Sequence, residues 1–194
     1  MGKLKAREWL EKRKCPVIKI PAHEFLAQMK EWGWKVYVDV YSCNYILIGL
    51  HGGVRGNWDF VAVNAFPPFG SDAVYFLEGP PTDQKSPAHA ERWASKKDGF
   101  KAIKKMMDDG PQNLTLEQFK AKLEEKLSHF YCRTEEDTIE LHDAMWRHGK
   151  ETYISDGEAD IGIPLDMKKQ PEPEKCIMVC NDDDGLLRYT LISE

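Results

Sequence analysis

The segment from Lys35 to Glu78 constrains the fold of this chain more than any other part of the sequence. It is dense in aromatic and β-branched residues, cut by short turn-forming clusters, and followed by three charged segments with helical periodicity. Val36, Val38 and Val40 alternate with Tyr37, Asp39 and Tyr41, the two-residue period of a strand. Tyr45–Leu50, Trp58–Ala65 and Ala73–Leu77 read as three further strands. The turn Ser42-Cys43-Asn44 and the loops His51–Asn57 and Phe66–Asp72 separate them. Connections this short join antiparallel neighbours. The expectation is therefore an α+β fold: an antiparallel β-meander of about four strands, with three to five helices packed mainly on one face. In such a meander Ser42–Asn44 and Phe66–Asp72 share one sheet edge, while His51–Asn57 and Gly79–Pro87 share the opposite one.

The helices are legible from their periods and caps. A basic helical segment is expected over about Lys5–Lys14, and a second helix from Pro21 to a glycine stop at Gly33. Ala88–Asp109 places Trp93, Phe100, Ile103 and Met107 on one face. Thr115 and Gln118 form a capping box ahead of Leu116, Phe119, Leu123, Leu127 and Phe130. Thr134 and Asp137 open a third helix, with Ile139, His142 and Trp146 on one face and Gly149 as its stop. Beyond it the chain turns acidic. Met167–Glu174 reads as a linker, and Lys175–Cys180 with Leu186–Ile192 as a C-terminal hairpin that rejoins the main sheet, since two strands alone are marginal. The organisation expected is one domain over residues 1–194: helix and meander over 15–78, a helical layer over 86–150, and acidic C-terminal strands and linker over 151–194.

A chain of 194 residues buries ~70% of its unfolded surface and needs neither metal nor disulfide for stability. A hydrophobic fraction of 42% and six tryptophans exclude disorder. No apolar run approaches the ~20 residues of a membrane span. The N-terminus lacks the apolar stretch of a signal peptide, and Ala6 breaks the myristoylation pattern that Met1-Gly2 opens. The five cysteines are read as reduced thiols of a cytoplasmic protein. Cys176 and Cys180, ~13 Å apart on one strand, are too distant to bridge. Charge is unevenly spread: residues 1–132 carry 20 Lys/Arg against 16 Asp/Glu, and residues 133–194 carry 7 against 16.

Several motifs fall short of a chemistry. His89-Ala90-Glu91 has the shape of a zinc deaminase start, but the P-C-x-x-C pair that completes that metal site is missing. His129, Cys132, His142 and His148 approach a zinc spacing, yet the first pair lies within a helix rather than on a knuckle. His51-Gly52-Gly53 resembles an oxyanion loop without a nucleophile elbow. Asp156-Gly157-Glu158-Ala159-Asp160 opens like a calcium loop, but Ile161 stands where the turn glycine belongs and Met167 where the closing Glu belongs. Asn181–Asp184 reads as a solvated turn with weak cation affinity. No catalytic residue, metal or cofactor is assigned.

The expected function is accordingly a non-enzymatic cytosolic binding protein of inhibitor, immunity, anti-defence or adaptor type. Its partner contacts are Phe66 and Phe69, on a proline-stiffened loop, with Arg55 and Trp58 at the opposite edge. The first alternative is a small hydrolase with a site around the His51–Asn57 loop, assembled from His51, Arg55, Asp59 and Glu78. The second is a nucleic-acid contact through Lys97, Lys101 and Lys104, one stripe on the first long helix.

Overall fold

A computed structural model of the chain describes residues 21–65, 73–80 and 86–180. The elements run in the order α1 (Ala22–Glu31), β1 (Lys35–Asp39), α2 (Val40–Leu47), a wide π-type helical turn (Ile48–Val54), α3 (Trp58–Asn64) and β2 (Ala73–Leu77). Then follow α4 (Ser86–Asp109), α5 (Leu116–Phe130), α6 (Glu135–Arg147), β3 (Glu151–Ile154), α7 (Ala159–Lys168), a 3₁₀ turn (Pro173–Lys175) and β4 (Cys176–Val179).

The four strands form one sheet in the order β3-β2-β1-β4, and every pairing is parallel. This overturns the antiparallel meander and makes the arrangement α/β. The reason lies in Tyr45–Leu50 and Trp58–Ala65, the expected second and third strands, which are helical. Short apolar runs cannot be assigned by period alone. Here the caps decide. The Asp39 carboxylate accepts from the Ser42 amide at 3.1 Å and opens α2. The Asn57 side chain accepts from the Phe60 amide at 3.1 Å and opens α3. The chain from β1 to β2 is thus a helical crossover, which parallel neighbours require.

Three other expectations shift with it. β3 and α7 lie inside the stretch read as irregular and acidic, and the linker expected from Met167 begins as the last turn of α7. The helices cover both faces rather than mainly one. Val36, Val38, Tyr75 and Leu77 pack toward α1, α2, α3 and α6, while Tyr37, Val74, Phe76 and Cys176 pack beneath Ala159, Ile163 and Met167 of α7. The buried face of α6 is Thr138, Leu141, Ala144 and Met145, leaving Ile139 and Trp146 exposed. By contrast, β1, β2 and β4 coincide with expected strands, β4 does return to the sheet, and both capping boxes form. The second strand of the expected hairpin, the basic helix near Lys5–Lys14 and the Phe66–Asp72 loop lie outside the described residues.

Parallel pairing has one consequence for function. All strands exit at the same sheet edge, so the meander's two opposed edges do not exist. The chain lays β1, β2 and β3 outward in sequence, then crosses back to place β4 on the other side of β1. Such a reversal leaves a crevice beyond the carboxyl ends of the strands, the common location of ligand sites in open parallel sheets.

Candidate functional site: the carboxyl edge of the sheet

The exits of β1, β2 and β3 each carry an acid. Asp39 closes β1 and is buried. Glu78 follows β2 directly. After β3 the chain runs Ser155-Asp156-Gly157-Glu158, and Glu158 is the buried residue preceding α7, with Asp160 in its first turn. Past β4 the sequence reads Cys180-Asn181-Asp182-Asp183-Asp184; its acids lie outside the described residues.

The sheet register relates these exits. Asp39 pairs with Phe76, and Phe76 with Tyr153. Side chains alternate along a strand, so Asp39 shares the face of Tyr37, the one that α7 covers. Two backbone bonds join the exits of β2 and β3: Gly79 N donates to Gly157 O at 2.7 Å, and Ser155 N to Leu77 O at 3.0 Å. A Cβ on Gly79 would lie 1.9 Å from the Ser155 carbonyl oxygen, so this approach requires glycine. At the β1–β4 boundary the Cys43 thiol lies 3.6 Å from Val179 O. Burial pushes its pKa up to about 12, with Asp39 and Cys180 adding to the rise.

Arg133, between α5 and α6, reaches this edge from the helical layer. Its guanidinium donates to Glu78 O and, at 3.0 Å, to Gly79 O. It lies 3.6 Å from the Glu78 carboxylate and 4.8 Å from the centre of the Tyr41 ring. Above it, Tyr131 O accepts from Lys96 Nζ at 2.6 Å and from Tyr45 OH at 2.7 Å, which stitches α4 and α2 to the same segment. Among the described residues no three His, Cys, Asp or Glu side chains are grouped closely enough to hold a metal ion.

The residues singled out from sequence are dispersed. Phe66 and Phe69 lie outside the described residues. Trp58 is buried, its ring against Gly52; a Cβ there would fall 2.1 Å from it. Gly53 lies as close to the Tyr131 ring, so the glycine pair serves close packing. Arg55 is exposed and bonded to Glu124, at 3.1 Å through Nε. His51 stacks on Phe60 at 4.1 Å; burial, then Arg55, lowers its pKa. Asp59 pairs with Arg147 at 3.0 Å and with His148 at 3.1 Å, so the proposed set of His51, Arg55, Asp59 and Glu78 is not gathered around one point. Lys101 and Lys104 are exposed on α4, and Lys97 lies on the same helix. The zinc-spaced histidines are likewise apart: His142 contacts Asp143 and Trp146, and His148 contacts Asp59. Asp39, Glu158, Asp160 and Arg133 were not singled out as site residues. The signal is an acid after each of β1, β2 and β3, which carries meaning only once the strands run the same way.

A second feature flanks the edge. α7 leaves part of β3 uncovered, giving a groove of about 580 Å³ lined by Phe76, Tyr153, Ser155, Gly162 and Asp166 among others. Tyr153, Ile154, Ile161 and Leu165 on its walls are exposed. No helix among the described residues is long and apolar enough to cross a membrane. Comparison with protein-family models, with curated proteins and with solved structures found no match to this chain.

Proposed function

We propose that the protein is a binding protein whose protein partner docks on the groove between β3 and α7. The supporting observation is the exposed apolar rim of that groove, formed by Tyr153, Ile154, Ile161 and Leu165; clustered apolar side chains left in water mark interaction surfaces.

The test is capture of a protein partner by wild type and by Ile161→Glu and Leu165→Glu. The charged substitutions should abolish capture while leaving the melting temperature unchanged; variants that capture the partner as wild type does refute the proposal.

A nucleic-acid contact is the second reading. It is favoured by the exposed lysines of α4 and α5, among them Lys104, Lys105, Lys120 and Lys122, which attract a polyanion toward the helix pair.

A further inference from the structure

We infer that the partner docks as an extended, basic segment that adds a strand to the outer flank of β3. The inference rests on the groove reading above and states the chemistry of what fills the groove.

Among the described strands β3 is the outermost on its side of the sheet. Backbone groups alternate in direction along a strand, so one bond fixes which residues face outward. Ser155 N donates to Leu77 O at 3.0 Å, which turns the backbone groups of Ser155, Tyr153 and Glu151 toward β2. Those of Thr152 and Ile154 point away from it. Trp146 of α6 takes up one of them: its Nε1 donates to Thr152 O at 3.2 Å. The N–H and C=O of Ile154 make no hydrogen bond among the described residues. The start of the flank is thus blunted by a side chain, and its end is open. An open edge is the template for strand addition by an extended peptide.

Both faces of the open stretch are apolar. Tyr153 lies on the α7 face, its ring 5.6 Å from that of Phe76, and Ile154 on the other; both are exposed. An added strand covers both, and its side chains on the α7 face meet Ile161 and Leu165 across the groove. The occupant therefore needs apolar residues at alternate positions. The charge of the groove selects the rest. Its walls carry Glu151, Asp156, Glu158 and Asp166 against Lys35 and Lys169. Asp156, two residues past Ile154, is exposed and makes no ion pair or hydrogen bond among the described residues. A Lys or Arg of the partner is attracted there, and a carboxylate is repelled.

The test is selection of a random dodecapeptide library, displayed on phage, against the full chain. Fluorescence anisotropy of the recovered peptides, made synthetically, follows. Recovered sequences should set Lys or Arg among alternating apolar residues and lack Pro, Asp and Glu. Methylation of alternate peptide nitrogens removes ladder donors and spares the side chains; it should weaken binding about tenfold or more in one register and little in the other. Asp156→Lys, an exposed change, should weaken the same peptides about tenfold and favour analogues with Glu in place of Lys. Ile154→Pro removes the open N–H without touching the β2 ladder and should abolish binding; if that variant does not fold, the methylated peptides and Asp156→Lys decide. No binder, binders without basic residues, or binders indifferent to methylation overturn the inference. If Ile161→Glu nevertheless abolishes capture of the protein partner, the groove reading stands without it. Wild type that holds neither partner nor peptide overturns both. Concentration-dependent dimerisation of the chain alone, lost in Ile154→Pro, makes a second copy the occupant and overturns the inference as well.

Discussion

A single methyl group at Gly79 should do unusual damage. Gly79 is buried at the exit of β2, and a Cβ built there would meet the Ser155 carbonyl oxygen at 1.9 Å and the Gly157 nitrogen at 3.2 Å. Both obstacles are backbone, so no side chain can swing aside. Relief requires moving the exits of β2 and β3 apart, which stretches the 2.7 Å bond from Gly79 N to Gly157 O. Overpacking of this kind costs ~1–3 kcal/mol, and a weakened backbone bond adds ~0.5–1.5 kcal/mol. Gly79→Ala should therefore lose about 2–4 kcal/mol. For a chain of this size each kcal/mol lowers the melting temperature ~2–4 °C, so a loss of 3 kcal/mol corresponds to about 6–12 °C. Gly56→Ala is the control: its Cβ meets nothing within 4 Å, but φ is +64°, so it should lose ~1–2 kcal/mol from backbone strain alone. Urea titrations and thermal melts of the two variants decide the matter. A Gly79→Ala loss below ~0.5 kcal/mol, or smaller than that of the control, refutes the packing argument.

Other outcomes follow from the same contacts. Trp58→Ala should destabilise by ~3–5 kcal/mol, because the ring is buried against Gly52; a near-neutral melt would return Trp58 to the surface. Arg55→Ala, which breaks an exposed pair with Glu124, should change stability by no more than ~1 kcal/mol in denaturant titration. His51 binds its proton more weakly in the folded state than in the unfolded chain. Its contribution is thus fully present above the unfolded value of about 6.5 and fades as pH falls below it; His51→Gln should flatten the melting curve against pH between 7 and 5, and parallel curves would exclude the effect. Lys101→Glu/Lys104→Glu should reduce nucleic-acid affinity and shallow its salt dependence, which fluorescence anisotropy at several salt concentrations will measure.

What the sequence disclosed was local, and what it withheld was direction. Thr115 with Gln118 and Thr134 with Asp137 announce their helices because a cap is a contact over three residues. Val36–Val40 and Ala73–Leu77 announce strands by composition. Tyr45–Leu50 was ambiguous because a short apolar stretch next to a sheet has the same makeup in either conformation; only the Asp39 cap separated the two. The candidate site was the least legible part. Asp39, Glu78 and Glu158 are far apart in sequence, and their common edge exists only because the strands are parallel. Read as a meander, the same acids scatter to two edges, and the Asp156–Asp160 segment looks like a failed loop rather than a strand exit. Arg133 had no sequence signal, since its partners are mostly backbone carbonyls and a ring from another element.

The position of β4 in the sheet also governs how the chain matures. β1 pairs with β4 through residues about 140 apart, Lys35 with Cys176. During vectorial synthesis β1 emerges before β4, and one side of it stays unpaired until Cys176–Val179 has left the ribosome. An uncovered strand flank is a template for pairing with other chains, and distant pairings close slowly. A nascent or prematurely terminated chain ending before Cys176 should therefore aggregate rather than act, and co-translational chaperone demand should peak in the interval between completion of β3 and arrival of β4.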